Sequence, residues 1–173
     1  MMWIPAFILG LLLLVLVGRV LFKPDNSKSA QLMKQYKHMT RELLDGTADE
    51  DLATAVASNL LAKAEGSRKD AYSLIPTLGE ERCAAYSIWL WMRELEKGDA
   101  ESLRASGQFG FSELAADGLD SLGLTELAAA LRDYLQTADD TLVDTMKRDI
   151  AEQDVPAKLA AYIRDHADAF CDE

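Results

Sequence analysis

From Trp3 to Phe22 the chain is a run of apolar and small residues that meets no charge before Arg19. A helix rises about 1.5 Å per residue, so ~20 residues cross the roughly 30 Å hydrocarbon core of a bilayer. No face of such a stretch prefers water, so it divides the chain into a part suited to lipid and a remainder that must fold in water. A cleaved signal would begin with a basic segment and end in small residues. Here nothing basic precedes Trp3 except the α-amino group, and Val20-Leu21-Phe22-Lys23 is bulky where cleavage would fall. The expectation is a retained anchor over residues 1–22, a polar linker over 23–29 and a helical domain over 30–173.

The flanks of the run give it a direction. Trp3 suits one interface. Near Phe22, the stem of Arg19 can snorkel to the headgroups of the other. Lys23, Lys28, Lys34, Lys37 and Arg41 follow, against Asp25 alone before Glu42. The positive-inside rule puts that flank in the cytoplasm and the short N-terminus outside.

The rest of the 173 residues is enough chain for one domain with a real core. Its formal charge of −11 is unevenly placed. Residues 23–78 carry 8 basic and 8 acidic side chains, whereas residues 79–173 carry 9 and 21. An acidic half cannot hold nucleic acid by neutralising phosphates, which takes Lys and Arg, so no direct nucleic-acid partner is expected. A basic protein partner is compatible with it. So is plain solubility.

The segment after the linker has the spacing of helices throughout. Leu32, Tyr36, Met39 and Leu43 form an apolar stripe that predicts a helix from Ala30 to Asp45, stopped by Gly46. Thr47-Ala48-Asp49-Glu50 has the form of a capping box, opening a helix that runs to about Glu65 with Gly66 at its end. A short helix is expected near Arg68 to Ile75. Glu80 to Lys97 has the widest apolar face and is expected at the centre of the bundle, with Trp89 and Trp91 in the core. A short broken segment spans Gly98 to Gly110. Helices are then expected over Phe111–Ser121, Leu124–Thr137, Ala138–Gln153 and Val155–Phe170, with Gly123 separating the first two. No segment alternates with the period of a half-buried strand. The predicted fold is all-α: an N-terminal transmembrane helix followed by a compact multi-helix bundle.

A search for chemistry finds little. The chain has two histidines. His38 and Glu42 stand four apart on the expected first helix, and His166 lies between Asp165 and Asp168. Neither belongs to a zinc-binding or hydrolase motif, and Cys83 and Cys171 form none. There is no phosphate-binding glycine loop and no nucleophile elbow. No metal, cofactor or catalytic residue is expected. What stands out is the acidic series Asp117, Asp120, Asp139, Asp140, Asp144, Asp149, Glu152, Asp165 and Asp168. Several of these stand three or four apart, so their carboxylates share a helix face. They are the candidate binding surface.

Two stretches resemble a known bacterial family. Gly118-Leu119-Asp120-Ser121-Leu122-Gly123-Leu124-Thr125-Glu126-Leu127-Ala128-Ala129-Ala130-Leu131 is similar to its glycine-turn and Ala/Leu-helix element. Tyr162-Ile163-Arg164-Asp165-His166-Ala167-Asp168-Ala169-Phe170 is similar to its closing helix. The family is the acidic, all-helical one named after a DNA-mimic protein, and the resemblance covers roughly residues 84–170. Where the family carries Asn-Gly-Gly-Phe, this chain reads Glu96-Lys97-Gly98-Asp99. The resemblance implies a non-enzymatic domain that offers carboxylates where a DNA-binding protein expects phosphates, in a chain that can pair with a second copy. The full expectation is a single-pass protein of the bacterial inner membrane, anchored through Trp3, Arg19 and Phe22. Its acidic cytoplasmic domain would bind a basic protein. The alternatives are an enzyme whose carboxylate or metal site is not visible in the sequence, and a purely structural tether.

Overall fold

A computed structural model of the chain describes residues 27–65, 73–97 and 109–172. The apolar run, the linker up to Asn26, most of the expected 68–75 helix and the segment 98–108 lie outside the described residues. Among those described, every regular element is helical, and no helix is long and apolar enough to cross a membrane. Residues from Leu32 onward form one compact unit.

Helix α1 (Lys28–Gln35) leads into α2 (Arg41–Gly46), α3 (Asp49–Lys63) and a single 3-10 turn (Ile75–Thr77). Then follow α4 (Glu80–Lys97), α5 (Phe109–Ser121), α6 (Thr125–Thr137), α7 (Thr141–Glu152), α8 (Val155–Asp165) and α9 (Ala167–Phe170). Helix α4 lies at the centre, as its wide apolar face predicts. It packs most extensively on α5, and also on α3, α7, α8 and α9. Helices α5, α6 and α7 pack in succession, and α8 lies against α3. The main core gathers Met39, Leu44, Leu52, Ile88, Trp91, Leu119, Leu127, Leu159, Ile163 and Phe170. A second core joins Leu60, Ile75, Tyr86, Trp89 and Phe111 on the other side of α4. Both tryptophans of α4 are thus core residues, and the Trp89 indole N–H donates to the Thr54 hydroxyl at 3.2 Å.

Close approach of α4 and α5 depends on Gly118. A Cβ there would stand 3.1 Å from the Ala84 Cα and 3.1 Å from the Ile88 side chain. The turn between α5 and α6 is a Schellman motif. Gly123 adopts φ +74°, its N–H donates to the Asp120 carbonyl, and the Leu124 N–H donates to that of Leu119. Leu119 and Leu124 are both buried, which supplies the hydrophobic contact that closes such a motif.

Three local expectations are corrected. The helix expected from Ala30 to Asp45 is two helices with a turn between them, so His38 and Glu42 do not share a helix face. The turn persists because Thr40 caps α2, accepting the Leu43 N–H, and because tertiary partners take the backbone groups a continuous helix would have used. The capping box at Thr47 does not form. The Thr47 hydroxyl donates to the Leu43 carbonyl at 2.7 Å, and Ala48 occupies the cap position without a side-chain bond. Asp49, Glu50 and Asp51 still fill the first turn of α3, where negative charge suits the helix dipole. Helix α3 ends at Lys63, with Glu65 in the left-handed region at φ 52°. The last expected helix, Val155–Phe170, breaks at His166 into α8 and α9. There the ring stacks on Tyr162 with centroids 4.4 Å apart, and its Nδ1 lies 2.9 Å from the Tyr162 carbonyl oxygen.

Candidate functional site

Helices α5, α6 and α7, with their connections down to Asp154, carry eleven acidic and three basic residues. Their apolar stripes face the core, so the charges are left on the outside. Asp117, Asp139, Asp140, Asp144 and Glu152 are exposed, and Asp120 and Asp149 are half-buried. Asp165 and Asp168 are also exposed, and they sit at the α8–α9 break rather than on α5 to α7.

The carboxylates differ in what they are bound to. Arg132 of α6 reaches back to α5 and holds both Asp117 and Asp120, each at 2.7 Å. Arg148 lies 3.4 Å from Asp149 and 3.8 Å from Glu152 within α7. Asp139 accepts from the Thr141 N–H at 2.9 Å and from its hydroxyl at 2.8 Å, closing the turn into α7. Those bonds hold its carboxyl below the usual range. Asp168, almost fully exposed at 99%, pairs with Arg41 at 3.0 Å. The acidic surface is therefore interrupted by guanidinium groups at two places on α5 to α7.

Sequence reading missed a second constellation. The last described residue, Asp172, turns inward and its side chain is only 9% exposed. Its carboxylate accepts from the Met39 N–H at 2.9 Å, from Asn59 at 2.9 Å, from Arg82 at 3.1 Å and from Lys63. Its own N–H donates to the Met39 carbonyl at 2.7 Å. Arg82 also donates to the carbonyls of Ala169 at 2.6 Å and Cys171 at 2.7 Å. Asn59 donates to the Tyr36 carbonyl at 2.9 Å. This clasp ties the C-terminal tail to α3, to α4 and to the turn before α2. Burial pushes the Asp172 carboxyl up, but the bonds from Lys63, Met39, Asn59 and Arg82 outweigh it and hold it far below the usual carboxylate range.

Arg164 makes a second clamp. Its guanidinium donates to the carbonyls of Leu44 and Thr47 and pairs with Asp49 at 2.9 Å, bridging the end of α2 to the start of α3. The sequence signal for both clamps was faint: an arginine on the otherwise apolar face of α4, and another beside the buried stripe of α8.

His38 lies in the turn before α2, its side chain 70% exposed and 3.8 Å from Asp172. Among the described residues no three His, Cys, Asp or Glu side chains are grouped to hold a metal ion. Burial pushes the thiols of Cys83 and Cys171 up from their ordinary values. One open depression on the described surface, of about 280 Å³, lies at the α8–α9 break beside Arg41 and Arg164. No protein-family model, curated protein or solved structure matches the chain.

Proposed function

We propose that this chain is a membrane-tethered, non-enzymatic adaptor whose acidic helical face, α5 to α7, binds a basic protein. The observation that carries the reading is the charge of that region: eleven carboxylates against three cations on three helices and their connections, with the apolar sides of the helices turned to the core. A face with no remaining apolar stripe recruits partners by charge, and charge complementarity acts mainly on encounter rate and selectivity. The tether rests on Trp3 to Phe22 and on the basic flank after it, which favour a single pass with the domain in the cytoplasm.

A narrower version is DNA mimicry. A mimic presents rows of negative charge, and Arg132 and Arg148 neutralise part of the row on α5 to α7. The broader reading is therefore the one we favour. One experiment separates them. Full-length protein in neutral detergent is titrated with a purified Lys/Arg-rich DNA-binding protein, with and without duplex DNA. Binding that weakens about tenfold or more between low and moderate salt supports the acidic face. Loss of that binding in Asp144→Asn/Asp149→Asn/Glu152→Gln assigns it to α7. Competition by DNA supports mimicry, and binding that DNA leaves untouched removes it. Salt-insensitive binding, or none, overturns the adaptor. Stoichiometric metal in the purified protein that is lost in His38→Ala or His166→Ala would favour the enzyme alternative instead.

A further inference from the structure

We propose that the turn between α1 and α2, with Lys34 and Lys37, is a headgroup-binding platform for an anionic phospholipid surface. Residues 36–40 connect α1 to α2, and their backbone is held firmly. Met39 exchanges two hydrogen bonds with Asp172, and Asn59 donates to the carbonyls of Tyr36 and Lys37. Tyr36 and Met39 are buried, while Lys34, Lys37 and His38 are exposed. The buried clasp thus fixes the inner side of the turn and leaves a basic outer side.

The carboxylates around that turn are mostly engaged elsewhere. Asp172 faces inward on Lys63 and Arg82. Asp45 and Asp168 are both held by Arg41. Lys34 and Lys37 pair with no carboxylate among the described residues, and Glu42 is the acidic side chain left close in sequence. Lys34 also stands about a dozen residues beyond Phe22, with Lys23 and Lys28 between and Asp25 as the sole acid. An extended residue spans at most about 3.5 Å and a helical one 1.5 Å, so the dozen residues from Phe22 to Lys34 allow at most about 30 Å between them, short enough for this turn to reach the surface of a bilayer that holds the apolar run. Basic clusters just past an anchor are drawn to anionic lipid over a distance of about one Debye length. Charge and chain length point to the same occupant, and the proposal rests on the tether reading given above.

The test uses the full chain with Cys83→Ser and Cys171→Ser, carrying one fluorescent label at Gln35→Cys or, as a control, at Gln136→Cys on α6. Vesicles are phosphatidylcholine alone, or phosphatidylcholine with about a third phosphatidylglycerol. The expected result is that acrylamide quenching at position 35 falls about threefold or more in anionic vesicles relative to neutral ones. It should recover at ~0.5 M salt and in Lys34→Gln/Lys37→Gln, while the label at 136 stays unchanged. Equal quenching at 35 in both lipids overturns the platform. Flotation reads the tether separately: protein that floats with anionic vesicles only overturns the tether and keeps the platform, and protein that floats with neither overturns both.

Discussion

Asp172 joins three elements through one carboxylate, which accepts from α3, from α4 and from the turn before α2. Removing one partner of a buried pair leaves the other uncompensated, at a cost of about 3–5 kcal/mol when both are fully enclosed. Lys63 is 27% exposed and can turn to solvent, which lowers the figure. Asp172→Ala is expected to destabilise the domain by about 2–4 kcal/mol in urea unfolding. Arg82→Lys keeps the charge but cannot serve the Ala169 and Cys171 carbonyls together with Asp172, so a loss of about 1–2 kcal/mol is expected. A wild-type midpoint in either variant would show that the clasp contributes nothing. The pH dependence has a definite sign. The folded carboxyl is depressed, so its contribution is complete above the unfolded value of about 4 and declines as pH falls below it. Stability should therefore fall on acidification below about pH 4, and the fall should be shallower in Asp172→Asn.

At the scale of helices and turns, two glycines do different work. At Gly123 the constraint is backbone: φ is +74° and nothing lies within 4 Å of an added Cβ. Gly123→Ala is expected to cost about 1–2 kcal/mol through the left-handed conformation alone. At Gly118 the constraint is space, with the Ala84 backbone 3.1 Å away. Gly118→Leu should lower stability by about 1–3 kcal/mol by forcing α4 and α5 apart. Gly46 has no near neighbour and no left-handed φ, so Gly46→Ala should be neutral or stabilising by up to about 1 kcal/mol. Thermal melts of the three variants check the ranking, and a destabilised Gly46→Ala would break it. Element positions were legible where apolar spacing was regular: α4 has the bounds its pattern predicts, and α5 and α6 differ from theirs by a residue or two at one end. The break at Tyr36–Thr40 was not. Leu32, Tyr36, Met39 and Leu43 keep helical spacing across it and all face inward, so periodicity alone cannot register the turn.

Over the whole molecule, charge is segregated along the chain, with basic residues near the apolar run and acidic ones on α5 to α7. Like charges on neighbouring helices repel, and salt screens exposed pairs over about 10 Å at 0.1 M. The melting temperature is therefore expected to rise by a few degrees between ~0.05 and ~0.5 M sodium chloride. A fall would mean that the exposed pairs of Arg132, Arg148 and Arg41 outweigh the repulsion. Asp144→Asn/Asp149→Asn/Glu152→Gln should reduce the rise, since it removes three of the charges that cause it.

The helical class, the central place of Glu80–Lys97, the Gly123 turn and the segregation of charge are written in the linear chain. These follow from local spacing, backbone freedom and composition, which a linear chain displays openly. Which polar residues hold the domain together emerges with the fold. Asn59, Arg82 and Asp172 are far apart in sequence and belong to no motif, and each alone looks like a surface side chain. Folding brings them to one buried point, where taking charge out of water makes every hydrogen bond count. The same clasp accounts for the turn that apolar spacing concealed, because hydrogen bonds from Asn59 and Asp172 replace the backbone ladder that a continuous helix would have provided.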